Sequence, residues 1–87
     1  MRLEGKIIAG EFDNRVNEFS LLQVKHLSVE STINENQMKQ LYNYLKKHEH
    51  DTDGQIISLY DQLLVRLSQE EIQLLLLDLE KVQSLYH

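Results

Sequence analysis

Three carboxylates stand at alternate positions in the stretch Glu49-His50-Asp51-Thr52-Asp53-Gly54. Oxygen donors at that spacing, ahead of a glycine that lets the chain turn sharply, could ligate a hard divalent cation. His48 and His50 flank the same stretch and add imidazole nitrogen, a donor for transition metals. Two residues apart on a helix, those histidines point in different directions, so a shared metal would need the chain to bend between them. A simpler reading needs no ion. Aspartate and glycine form turns, and an aspartate side chain can cap a helix that follows.

The stretch resembles the calcium-binding loop of the EF-hand. With Gly54 at the sixth place, Glu49, Asp51 and Asp53 fall at the first, third and fifth. Gln55 offers a carbonyl at the seventh, and Ile56 takes the apolar eighth. Leu41, Tyr44 and Leu45 stand where the incoming helix of such a hand has apolar residues. The resemblance implies Glu49, Asp51 and Asp53 as metal ligands. It departs at the twelfth place, where a bidentate glutamate is replaced by Tyr60. Asp61 comes one residue late and would point about 100° away on a helix. Glu49 is longer than the aspartate usual at the first place, and no second hand occurs. The expectation is therefore an acidic turn, with Asp51 or Asp53 capping the helix after it, and no metal or other cofactor.

Other chemistry is thinly represented. There is no cysteine, so disulfides, zinc thiolates and cysteine nucleophiles are excluded. No phosphate-binding glycine loop, dinucleotide fingerprint or zinc-protease motif occurs, and no nucleophile elbow places the serines or histidines. A domain this small has little room for a ligand pocket. The expectation is a non-catalytic protein with no small-molecule substrate. Lys39, Lys46 and Lys47 form a small basic face that Lys25, Arg2 and Lys6 could extend. The formal net charge of −5 opposes nucleic acid, and the expected partner is not a nucleic acid. The longest apolar run, Leu74 to Leu77, is far short of the roughly 20 residues of a membrane helix, and the first residues do not read as a signal peptide. A cytoplasmic protein is expected, with no membrane partner.

The 87 residues read as one domain. The character of the chain changes near residue 31. Residues 2–12 and 17–29 read as two strands of a hairpin around a turn at 13–16, with a helix as the alternative for 17–29. Residues 31–48 read as a first helix, with Thr32 as N-cap and Glu35 completing a capping box. Its apolar face holds Met38, Leu41, Tyr42 and Leu45. Residues 55–67 read as a second helix, striped by Ile56, Leu59, Tyr60, Leu63, Leu64 and Leu67. Residues 68–87 read as a third, capped by Ser68 with Glu71. The expected fold class is α+β: an N-terminal β-hairpin at 1–30 followed by three amphipathic helices at 31–87. An all-α small helical bundle is the alternative.

The third helix carries two apolar stripes. Ile72, Leu75, Leu76, Leu79, Val82 and Tyr86 make the main one; Leu74, Leu77 and Leu85 lie across from it. A helix apolar on two sides is sandwiched or meets a partner. The expected function is that of a small interaction or regulatory protein that binds another protein through a helix face, with a homodimer as one form of this. Leu74, Leu77, Leu85 and Tyr86 are the expected partner-binding residues. A nucleic-acid accessory protein and a degenerate EF-hand-like module are the alternatives.

Overall fold

The computed structural model of the protein describes residues 1–58 and 64–87. Strands β1 (Arg2–Glu4), β2 (Ile8–Asp13), β3 (Glu18–Val24) and β4 (Leu27–Ile33) lead into helix α1 (Glu35–Lys47). Strands β5 (Gln55–Ser58) and β6 (Leu64–Leu67) follow, and helix α2 (Gln69–Gln83) comes last. The first four strands form an antiparallel meander in the order β1-β2-β3-β4, while β5 and β6 pair as a separate ribbon. No helix among the described residues is long and apolar enough to cross a membrane.

The fold is α+β, but the expected hairpin with three helices is not what forms, and the all-α alternative falls with it. Each expected strand is split in two. Residues 2–12 break at Gly5-Lys6-Ile7, and 17–29 break at a tight turn where Lys25 adopts φ +57°. The central hairpin does turn just after Asp13, and the Asp13 side chain accepts the Arg15 amide at 2.9 Å. Alternation on β2 sends Ile8 and Phe12 inward. On β3 the register shifts around Leu22, which has no partner in either ladder. That extra residue lets Phe19, Leu21 and Val24 all face the core.

The first expected helix starts two residues later than its sequence signal. Thr32 lies in β4 opposite Ser20, and Asn34 caps the helix instead. Its side chain accepts the Gln37 amide at 2.9 Å, while Gln37 accepts the Asn34 amide at 2.9 Å. Both boxes follow the same chemistry; burial of Ile33 in the sheet decides which one is used.

The second expected helix is overturned. Residues 55–58 and 64–67 are strands, and Leu59, Tyr60 and Leu63 of its stripe lie outside the described residues. Ile57 and Val65 are directly paired and buried, and Leu67 is buried on the same side. Ile56 and Leu64, which a helix would have turned inward, face out. The observed period is two. Gly54 has φ +73°, and a Cβ there would overlap the Leu67 carbonyl, so glycine alone permits this close entry into the ribbon.

The third expected helix forms as α2. Ser68 and Glu71 make the reciprocal cap, and the whole main stripe from Ile72 to Val82 is buried, with Tyr86 just beyond the helix end. The Ser68 amide, and then the Lys25 ammonium 2.9 Å away, hold the Glu71 carboxyl below the usual carboxylate range. Tyr42 of α1 donates to Glu80 at 3.0 Å and ties the helices together.

Among the described residues one acidic side chain is fully buried. Asp78 has no exposed surface, and its carboxylate accepts three backbone N–H groups: Lys6 at 2.9 Å, Ile7 at 2.6 Å and Ile8 at 3.1 Å. Gly5 closes this turn, and a Cβ there would overlap the Asp78 carboxyl group. An amide cannot accept from all three donors with both of its atoms. Asp78→Asn is expected to lower stability by about 2–4 kcal/mol, read as a lower urea midpoint. A midpoint unchanged from the parent would refute the anchoring role.

Candidate partner-binding surface

The structure separates the residues singled out on the last helix. Tyr86 belongs to the core: it is 9% exposed, its ring meets Phe12 edge-on at 5.0 Å, and its hydroxyl donates to the Ile33 carbonyl at 2.6 Å. Leu74 and Leu85 are half-buried against the core. Leu77 is 54% exposed. The second stripe is thus mostly covered by the chain itself, and one leucine of it remains open.

The acidic loop does not gather its carboxylates. Glu49 faces Lys46 at 3.3 Å, and Asp51 lies 2.8 Å from His48 Nδ1. Asp53 is exposed. Among the described residues no group of three or more His, Cys, Asp or Glu side chains is placed to share an ion. A strand, β5, follows the glycine, so neither Asp51 nor Asp53 caps a helix there.

What the loop builds is a relay of hydrogen bonds. Tyr44 donates to Gln55 Oε1 at 2.8 Å, Gln55 Nε2 donates to Asp51 Oδ2 at 2.9 Å, and the same oxygen meets His48. The Tyr44 and His48 rings pack at 4.7 Å. The relay fixes the last turns of α1 relative to the start of β5. Between these two elements runs a groove of about 360 Å³ lined by Gln40, Leu41, Tyr44, Ile56, Ile57 and Ser58.

The outer face of the ribbon continues this surface. Ile56 sits opposite Arg66, and Leu64 sits opposite Ser58, so Ile56 and Leu64 are diagonal neighbours on one face. They are 53% and 66% exposed, and Tyr44, which lines the groove with Ile56, is 42% exposed. No protein family, curated protein or solved structure matches the chain. The surface must therefore be read from its own chemistry.

Four of the six basic side chains noted in the sequence are drawn to acids. Lys39 lies 3.7 Å from Glu35, Lys46 faces Glu49, Arg2 reaches Glu4 at 3.2 Å, and Lys25 is held by Glu71. The void enclosed by the core is about 10 Å³, no more than about one water.

Ile56 and Leu64 were placed by sequence reasoning on the buried stripe of a helix. The alternation of Ile57, Val65 and Leu67 against Ile56, Leu64 and Arg66 was the available signal for the ribbon. Tyr44 was placed in sequence on the helix entering the acidic loop, not beside a strand.

Burial pushes the Tyr86 hydroxyl up to about 12. A raised folded value means that its stabilisation is complete below pH 10 and is lost as pH climbs through 12. Tyr86→Phe is expected to cost about 1 kcal/mol at neutral pH and to remove part of the alkaline loss. Urea midpoints at neutral pH and between pH 10 and 12 check this. Equal alkaline losses in parent and variant would count against it.

Proposed function

We propose that this is a non-catalytic protein that acts by binding another protein through the surface formed by α1 and the β5–β6 ribbon. Leu41, Tyr44, Ile56 and Leu64 are its contact residues. The observation that carries the reading is the paired exposure of Ile56 and Leu64 on one ribbon face, continuous with the groove beside Tyr44. Contiguous apolar surface of this kind marks interaction sites more often than scattered exposed leucines do. Tyrosine at its centre suits such a site, since it adds apolar area and a polar tip.

This reading moves the binding surface away from the last helix, because Tyr86 is internal and Leu74 and Leu85 are partly covered. It keeps the general mode, burial of an apolar face against a partner. The cysteine-free sequence supports placing the protein in the cytoplasm.

Affinity capture from an extract of the source cells tests the reading. Ile56→Lys with Leu64→Lys should release proteins that the parent retains, while changing stability by about 1 kcal/mol or less. Leu77→Lys should still retain them. If the ribbon variant retains the same proteins and Leu77→Lys loses them, the surface is on α2 and this proposal is wrong.

A further inference from the structure

The groove runs along a strand edge, and this restricts what can fill it. Its ribbon-side wall is Ile56, Ile57 and Ser58, three consecutive residues of β5. Consecutive side chains of a strand point to opposite faces. Three in a row can border one groove only if it follows the backbone edge. β5 pairs with β6 along one edge, and among the described residues no strand lies beside the other. That edge presents a strand's alternating donors and acceptors. The opposite wall is α1, through Gln40, Leu41 and Tyr44.

The geometry points to an extended peptide segment of another protein, added to β5 as a further strand and lying between β5 and α1. The inference rests on the protein-binding reading of this surface and specifies the conformation and chemistry of the partner. Backbone hydrogen bonds to β5 would supply the attachment, and pockets for alternate side chains the selectivity. The six described lining residues carry no formal charge in a chain where 26% of residues are charged, which suits a partner whose inward side chains are uncharged and apolar. At about 3.3 Å per residue, the four residues of β5 match a segment of about four residues. A groove of about 360 Å³ is at the small end of ligand sites, in keeping with one strand.

Other occupants fit less well. Nucleic acid needs cations along its path, and the lining supplies none among the described residues. A second copy inserting its own β5 would bring its β6 along the far side, into the space that α1 fills. The relay from His48 through Asp51 and Gln55 to Tyr44 sets the groove's width before anything binds.

A random linear peptide library selected on the immobilised full chain supplies the probe. Enriched peptides are expected to shift the backbone amides of β5 and of residues 40–44 in the isotope-labelled protein. N-methylating the best peptide one amide at a time should weaken binding about tenfold at every second position, the period of a paired strand. Peptides that shift those amides yet tolerate N-methylation everywhere would overturn strand addition while leaving the surface a protein-binding one. Failure to enrich any peptide, or binding that survives both Tyr44→Lys and Ile56→Lys made separately, would overturn both. These residues lie on different elements, so one misfolded variant leaves the other informative. A solution mass twice 10.3 kDa that falls to the monomer in Ile56→Lys would give the groove to a second copy and overturn the inference.

Discussion

The carboxylate of Asp78 lies where water cannot reach it, and the rest of the structure is arranged around satisfying it. Its three donors come from residues 70 to 72 positions earlier in the chain, in the turn between β1 and β2 and at the first residue of β2. A buried carboxylate left without donors would be strongly destabilising. The turn must therefore expose three successive amides to one point, and Gly5 must leave room for the acid. The interaction is specific in a way that apolar packing is not. A leucine stripe can slide or rotate against a sheet, but a carboxylate with three fixed donors has one position.

Two further tethers hold α2 in that register. At its start Glu71 takes Lys25 from the β3–β4 turn, and Lys25 also donates to the Arg66 carbonyl at 3.2 Å. Beyond its end Tyr86 donates to Ile33 at the close of β4. The helix is thus tied to three places on the sheet and to β6. Its main stripe and the inward side chains Phe19, Ile33, Met38 and Leu45 close the core between them.

The ribbon completes that core with one face and leaves the other over. Two strands alone are marginally stable in water; β5 and β6 depend on burying Ile57, Val65 and Leu67 beside the helices. Because neighbours in a strand alternate, every residue turned inward commits the next to the outside. Polar side chains would serve stability there equally well. Arg66 and Ser58 are such residues, whereas Ile56 and Leu64 are not, which leaves apolar area exposed on this face. The relay built from the acidic loop then holds α1 beside the ribbon and shapes the groove between them.

The capping box that starts α2 and its buried stripe were legible in the sequence, because a helix start is written within four consecutive residues and its face repeats every turn. The hairpin turn after Asp13 was legible for a similar local reason. The strands of residues 55–67 were not. A leucine-rich run with Ile56, Ile57 and Val65 satisfies period two and period 3.6 alike, and only contact with a core assembled from distant residues chooses between them. The same holds for Thr32 against Asn34, for the bulge at Leu22, and for Asp78, which in sequence is one more polar residue between leucines. Local hydrogen bonding determined where α2 begins; long-range burial decided where α1 begins, which residues are strands, which leucines are covered, and which apolar side chains stay exposed.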